Sequence, residues 1–185
     1  MVVAKRFRLP LRTDRLILRG LDGSDAQSVR RLASDWELAR WTSDVPHPYD
    51  STMARDFVAW AQKEFSAGRR FVFAIVNRGN GELIGVISLT RIGQTEGELG
   101  YWIGRPFQRN GFASEAAARI VDFAFADVEL DRVTAACLED NEPSWRVMLR
   151  CGMEFEERIR RWAPARGHSI ELLRYACVRG DPVPQ

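Results

Sequence analysis

A short polar turn joins a hydrophobic strand to an alanine-rich helix in the segment 100–116, GYWIGRPFQRNGFASEA. A helix N-terminus carries unpaired N–H groups and the positive end of the helix dipole, so it attracts anions. Gly111 lets ligand atoms approach the backbone, and Arg109 adds a positive charge. The chain has no Gly-Lys-Ser/Thr after this turn and no Gly-x-Gly-x-x-Gly, which excludes a P-loop and a dinucleotide fingerprint. The segment is either a phosphate-binding turn or an ordinary strand-to-helix connection.

The composition narrows the class of protein. The chain has 185 residues, of which 45% are hydrophobic, and a net charge of +2, too small for bulk attraction to nucleic acid or a membrane. The three cysteines are odd in number and widely spaced, which indicates a reduced compartment and neither a disulfide framework nor a zinc site. Two histidines are too few for a histidine-based metal centre. No signal peptide is recognisable, so we expect a cytoplasmic protein. From the few histidines and the spacing of the cysteines we expect no bound metal.

The spacing of the hydrophobic residues predicts an α+β fold, with a mixed central sheet of about six to seven strands flanked by about four helices. The Asn-Gly pair at Asn80 and Gly81 predicts a hairpin turn, because it favours positive φ. Helices are predicted at 26–36, 53–65, 113–124 and 143–151, and strands at 15–19, 71–76, 83–92, 98–103, 133–138, 155–162 and 169–178.

Two spaced motifs stand on either side of the predicted strand 133–138. The first is Gln108-x-x-Gly111-x-Ala113, between a strand and a helix, and the second begins with Asn141-x-x-Ser144 and runs to residue 153. The first motif matches the acetyl-CoA signature of the GNAT acetyltransferases, and the second resembles that family's second cofactor motif. The stretches TDRLILRGLDGSDA and VPHPYDSTMARDFVAWA resemble the branch that includes the ribosomal-protein alanine N-acetyltransferases. The resemblance covers residues 11–179 and implies one N-acetyltransferase domain.

This resemblance implies acetyl-CoA as the co-substrate. Backbone N–H groups from Arg109 to Ala113 would hold its pyrophosphate, and two central strands would splay apart to take the pantetheine arm. A backbone N–H near Trp102 or Ile103 would meet the acetyl carbonyl and stabilise charge on its oxygen. The implied cofactor-binding residues are Trp102, Ile103, Gln108, Arg109, Asn110, Gly111, Phe112, Ala113, Asn141, Ser144 and Arg150.

Glu98 is the candidate catalytic base. Strand alternation places it on the same face as Gly100 and Trp102. Its carboxylate is either a solvated charge at a strand end or a group that takes a proton from the ammonium of the acceptor. Other GNAT enzymes often carry a functional glutamate near this position, and we favour the catalytic interpretation.

Asn141 and Ser144 flank a proline at a predicted helix start. Both residue types are good helix caps. The resemblance gives them a second role, in which Asn141 contacts the pantetheine arm and Ser144 lies near the thiol as a catalytic residue. Many GNAT enzymes have a tyrosine general acid four residues after this serine position, where this chain has Met148. Ser144 is therefore the nearest substitute donor, unless water or no acid serves the leaving thiolate.

Two further groups have competing interpretations. Trp41, His47 and Tyr49 belong to a proline-broken loop, where they either order the loop or form a wall of the acceptor site, as in the resembling branch. His47 is also a candidate base, although a lone loop histidine is more often solvated. A basic run is predicted to be a solvated face, with a negatively charged partner such as a ribosomal surface left open. It consists of Arg158, Arg160, Arg161, Arg166 and His168.

The sequence thus predicts an acetyl-CoA-dependent N-acetyltransferase that acts on a primary amine by direct attack in a ternary complex. The acceptor is a protein N-terminal α-amine or a small-molecule amine. Cys137 and Cys151 are predicted core residues, not nucleophiles. A catalytically weak acyl-CoA-binding module and a ribosome- or RNA-docking module on the same fold are the alternatives. Direct nucleic-acid binding and a membrane partner are not expected, and a homodimer is left open.

Overall fold

The computed structural model describes residues 7–180, which form eight β-strands and five α-helices. The strands are β1 (Leu11–Arg12), β2 (Leu16–Gly20), β3 (Arg70–Asn77), β4 (Leu83–Ile92), β5 (Glu96–Ile103), β6 (Arg132–Cys137), β7 (Glu154–Ala163) and β8 (His168–Val178). The helices are α1 (Ala26–Ala33), α2 (Trp36–Ala39), α3 (Ser51–Ser66), α4 (Phe112–Ala126) and α5 (Glu142–Arg150).

The prediction of an α+β fold around a mixed sheet is confirmed, and the structure adds two short elements. The extra strand is β1, with two residues, and the extra helix is α2, with four. Neither is long enough to show a hydrophobic period. Trp36 belongs to α2 and not to the first helix, because Asp35 accepts a hydrogen bond from the backbone N–H of Glu37 and so starts a new helix.

All eight strands lie in one sheet, in the order β1-β2-β3-β4-β5-β6-β8-β7. Within residues 7–180, β5 and β6 are the only parallel neighbours. Their crossover is α4, which packs on β4 and β5. Ala116, Ala117 and Ala124 of α4 are fully buried, and their small side chains let the helix approach the sheet closely. Helices α1 and α3 cover the other face, so the sheet has two separate apolar layers.

The two parallel strands separate before they end. Pairing runs from Glu96 opposite Arg132 to Leu99 opposite Ala135 and then stops, while β5 continues to Ile103. The last part of β5 is therefore hydrogen-bonded to β4 alone. This open gap is the splay that the sequence predicts, and it leads from the middle of the sheet to the turn before α4.

The hairpin of β7 and β8 reaches past the end of β6 and closes one side of the gap. β6 pairs with β8 only as far as Leu173, whereas β7 and β8 stay paired down to Ala163 and His168. The tip of the hairpin is held against the loop after α2, where Ala165 N–H donates to the carbonyl of Ser43 at 3.3 Å. Across residues 7–180, every helix is too short or too polar to cross a membrane.

Candidate active site

The turn before α4 is built from two residues in the left-handed region. Gly111, the N-cap, has φ 78°, and Arg109 has φ 64°. A left-handed conformation is uncommon for a residue other than glycine, and nothing in the sequence predicts it at Arg109. The first backbone N–H groups of α4 have no partner within the helix and point out of this turn, as expected for an anion site. Residues 108–111 are exposed, so a ligand can reach the backbone.

Arg15 braces this turn from the strand β2 side. Its Nη1 donates to the carbonyl oxygen of Asn110 at 2.9 Å, and its Nε donates to Oε2 of Glu115 at 2.6 Å. Its guanidinium also lies over the ring of Phe112, 4.7 Å from the centroid. Because the Asn110 carbonyl is held outward, the orientation of the Asn110–Gly111 peptide is fixed. Sequence reasoning missed Arg15, which is distant in the chain and belongs to neither motif.

Glu115 anchors the brace. Its Oε1 accepts from Thr13 Oγ1 at 2.5 Å and from the backbone N–H of Arg15 at 2.9 Å. Burial opposes the ionisation of Glu115, but the hydrogen bonds from Thr13 and Arg15 outweigh it, so the pKa of Glu115 is lowered. A carboxylate in the first turn of α4 is also favoured by the helix dipole. The acid is thus held in its charged form by the segment that supports the turn.

The backbone of β5 decides which of its N–H groups face the gap. A Cβ atom built on Gly85 of β4 would lie 2.4 Å from the carbonyl oxygen of Trp102, so the polar groups of Trp102 face β4. Alternation turns the N–H groups of Tyr101 and Ile103 toward the gap. The carbonyl of Ile103 accepts from Nε2 of Gln108 at 2.9 Å. Of the two predicted donors for the acetyl carbonyl, Ile103 is therefore in position and Trp102 is not.

A group of polar side chains lies on the far side of the gap, at the start of α5. Asn141 is the N-cap residue, but its side chain makes no capping hydrogen bond and instead lines the gap. The hydroxyl of Ser144 lies 3.1 Å from that of Tyr101. Met148, one turn on, is buried beside them. Arg150 is exposed at the other end of α5 and does not line the gap.

The ionisation of the buried groups near Ser144 is suppressed. Burial raises the pKa of Tyr101 well above its usual range, although its hydrogen bond to Ser144 opposes the change. Burial also raises the pKa of the Cys137 thiol to about 11. Cys137, Cys151 and Cys177 are all buried and free, which confirms the prediction that Cys137 and Cys151 are core residues. Tyr101 and Cys137 are therefore neutral near pH 7.

Glu98 has an ion-pair partner that the sequence did not predict. Nη1 of Arg161 lies 2.5 Å from Oε1 and Nη2 lies 2.8 Å from Oε2, so one guanidinium contacts both carboxylate oxygens. The interpretation of Arg161 as part of a solvated face is wrong. It is also wrong for Arg166, which donates to the carbonyl oxygens of Arg40 and Thr42. Arg158, in contrast, is exposed as predicted and pairs with Glu139 at the surface.

A cavity of about 580 Å³ connects the gap to the face of the sheet that α1 and α3 cover. It brings together Glu98, Arg161 and Ser144 with an aromatic wall that includes Trp41 and Tyr49. Burial, and then Asp50, raise the pKa of Tyr49 to about 12. Within residues 7–180 there is no cluster of three or more His, Cys, Asp or Glu side chains that could hold a metal ion.

His47 is not part of this group. It is exposed and lines an adjoining cavity of about 690 Å³. Its ring packs against that of Trp36, with 5.3 Å between the ring centroids. Trp41 borders both cavities. The structure thus separates His47 from Glu98 and Ser144, and it keeps Trp41 and Tyr49 with them.

Comparison with known proteins gives the family. Residues 15–154 match the model of the acetyltransferase (GNAT) domain. The chain is 31% identical to the uncharacterized N-acetyltransferase YoaA of Bacillus subtilis (strain 168), over 91% of this chain and 96% of that protein. The same fold occurs in the ribosomal-protein-S5-alanine acetyltransferase of Vibrio fischeri, with a TM-score of 0.79, 20% identity, and coverage of 96% of this chain and 100% of that one. It also occurs in the microcin C7 self-immunity acetyltransferase MccE in complex with acetyl-CoA and AMP, with a TM-score of 0.80, 19% identity, and coverage of 93% and 100%. The chain therefore belongs to the GNAT acetyltransferase family, as its two spaced motifs predict.

Proposed function

We propose that residues 11–179 form one N-acetyltransferase domain that transfers the acetyl group of acetyl-CoA to a primary amine. The observation that carries this proposal is the course of β5. Its end has no partner strand on the β6 side, where Tyr101 and Ile103 face the gap, and it runs from the cavity that holds Glu98 to the left-handed turn at Gly111. A long ligand with a phosphate at one end and a thioester at the other fits this path.

The residues along the path divide the binding task. Backbone N–H groups of residues 109–113 bind the pyrophosphate, and Arg109 adds charge. The open edges of β5 and β6 take the pantetheine arm. Asn141 contacts this arm with its side chain, which makes no capping hydrogen bond to α5. The N–H of Ile103 donates to the acetyl oxygen and stabilises the charge that develops there. Gln108 holds the carbonyl of Ile103 and so fixes the end of β5.

Glu98 acts on the acceptor amine. An ammonium has no lone pair and cannot attack, so a base must take its proton. Glu98 lies at the point where pairing between β5 and β6 ends, and it faces the cavity. Its two oxygens contact Arg161, so an incoming ammonium competes with Arg161 for one of them. Arg161 meanwhile holds the carboxylate toward the cavity in a fixed orientation.

The acceptor enters from the aromatic side of the cavity. The free amine then attacks the thioester directly, so no enzyme nucleophile is needed. The nearby thiol of Cys137 is neutral and is therefore a poor nucleophile. Either a protein N-terminal α-amine or a small-molecule amine suits this cavity. The fold shared with a ribosomal-protein-S5-alanine acetyltransferase supports the first. The volume of about 580 Å³ lies within the usual range of small-molecule sites and so fits either acceptor.

A catalytically weak acyl-CoA-binding module on the same fold is the second candidate. Two observations favour it: Met148 takes the usual place of the tyrosine acid, and Arg161 contacts both oxygens of Glu98. The two candidates separate in an assay of CoA release from acetyl-CoA with a panel of peptides and small amines. Mass spectrometry would identify the acetylated acceptor. Tight CoA binding without amine-dependent CoA release would reject the enzyme and retain the binding module.

A further inference from the structure

A second cluster of polar groups lies beneath the gap, on the face opposite Glu98. Tyr101 of β5 reaches across to α5, where its hydroxyl donates to the carbonyl oxygen of Ser144 at 2.9 Å and lies 3.1 Å from Oγ of the same residue. The thiol of Cys137, at the end of β6, lines the same cavity as Ser144. The Ser144 hydroxyl therefore lies against Tyr101 of β5, two residues beyond the point where pairing between β5 and β6 ends.

We propose that Tyr101 is a positioning residue that directs the hydroxyl of Ser144 toward the CoA sulfur as it leaves. The inference rests on the proposed function, since it concerns the thiol end of the same site. In this chain the phenol comes from strand β5, whereas position 148 on α5 carries a methionine. Tyr101 acts through Ser144 and does not itself touch the reacting atoms.

The count of hydrogens explains how the arrangement works. A phenol has one hydrogen, but Tyr101 has two acceptors within reach, the carbonyl oxygen and Oγ of Ser144. Before reaction, Tyr101 donates to the carbonyl and the Ser144 hydroxyl donates to Tyr101. When charge appears on sulfur, the Ser144 hydroxyl rotates to the sulfur and the phenol rotates to Oγ. Two O–H rotations suffice, and no heavy atom moves.

The carbonyl of Ser144 can release the phenol at small cost. It lies in the first turn of α5, where it also accepts the helical hydrogen bond from the N–H of Met148. When the phenol turns away, this oxygen therefore keeps a partner. The Oγ atom, in contrast, gains a donor at the moment when its own hydrogen is used elsewhere. The exchange leaves no buried polar atom unpaired.

The step balances without a proton from Tyr101. The bond between the amine nitrogen and the acetyl carbon forms, the carbon–sulfur bond breaks, and the sulfur keeps the electron pair. The first ammonium proton has already passed to Glu98, and the second leaves the nitrogen for solvent water as the amide forms. Ser144 lends a hydrogen bond to the thiolate, and solvent protonates the thiolate later. Because burial holds Tyr101 in its phenol form, the donor is present throughout the working pH range.

Tyr101→Phe tests the proposal, because it removes one hydroxyl and keeps the ring in the core. We expect kcat to fall roughly 3- to 10-fold, the usual effect of one hydrogen bond, with the KM for acetyl-CoA and the Kd for CoA unchanged. In a Ser144→Ala background the same change should have no further effect on kcat. This loss of effect separates a role through Ser144 from a general structural role.

The matched control is Tyr175→Phe. Tyr175 is a buried tyrosine on β8, and its ring lies edge-to-face with that of Phe155, with 5.7 Å between the ring centroids. The Tyr175→Phe substitution should leave kcat unchanged. An unchanged kcat in Tyr101→Phe would overturn the proposal, and so would a fall of equal size with and without Ser144. These results need an active wild-type enzyme, so they differ from failure of the proposed function, in which the wild type releases no CoA with any amine.

Discussion

Gly111→Val should weaken the binding of acetyl-CoA by about 2 kcal/mol, roughly a 30-fold rise in Kd. Gly111 has φ 78°, a conformation that costs an L-residue about 1–2 kcal/mol and a β-branched residue more. A relaxed turn would no longer aim its N–H groups at the pyrophosphate. Restoring the native turn on binding, or losing one charge-assisted hydrogen bond, accounts for the expected loss.

The direction of the new side chain also matters. A Cβ atom at Gly111 would meet Nη2 of Arg15 at 3.4 Å, and no other atom outside the adjacent residues lies within 4 Å. The sequence alone suggests that the valine would block the pyrophosphate directly. The structure points the side chain at the brace, so strain and displacement of Arg15 cause the loss.

Titration calorimetry with acetyl-CoA and with CoA measures the effect. Gly93→Val is the matched control, because Gly93 lies in the turn between β4 and β5, has φ 63° and has nothing within 4 Å of a built Cβ. It should destabilise the fold by a similar amount and leave Kd unchanged. A folded Gly111→Val protein with wild-type affinity, or an equal loss of affinity in Gly93→Val, would refute the reasoning.

Three further predictions concern individual side chains. Glu98→Gln should lower kcat roughly 100-fold or more at neutral pH, and by a smaller factor at high pH, where free amine is abundant. The control Glu139→Gln, which also removes a carboxylate paired with an arginine, should leave kcat unchanged. A raised KM with normal kcat in Glu98→Gln would instead show that Glu98 only binds the ammonium. Ser144→Ala should reduce kcat only roughly 10-fold in the same steady-state assay, and a loss larger than that of Glu98→Gln would exchange their roles. The pKa of Glu115 is lowered in the folded protein, so its contribution to stability is present above the usual value of 4.5 and is lost as pH falls through the folded pKa. The free energies of unfolding of wild type and Glu115→Gln, measured in urea, should therefore differ at pH 7 and converge in acid; a difference that does not change with pH would contradict this.

Local patterns in the sequence were sufficient for the main elements and for the cofactor motifs. A strand, a glycine turn and an alanine-rich helix lie next to one another in the chain, so their order already places N–H groups at one end of β5. The spacing of hydrophobic residues predicts the longer helices and strands, because this spacing is also a local pattern in the chain. It missed β1 and α2 because two and four residues do not establish a period.

The contacts that shape the site are long-range. Arg15 and Glu115 are 100 residues apart, Glu98 and Arg161 are 63 apart, and Tyr101 and Ser144 are 43 apart. Each pair joins two elements whose meeting depends on strand order. A charge in a basic run gives no sign of its partner, which is why the sequence predicts a solvated side chain for Arg161.

The sequence by itself determined the family, the glycine turn between a strand and a helix, and the identity of Glu98 and Ser144 as candidates, because each depends on residues close together in the chain. Only the tertiary structure decided what surrounds those candidates. The end of pairing after Leu99 opens the gap, the extension of the β7–β8 hairpin beyond β6 places Arg161 beside Glu98, and the approach of α5 brings Ser144 to Tyr101. Side-chain chemistry at a site depends on burial and on neighbours, and both are fixed only when distant elements pack together.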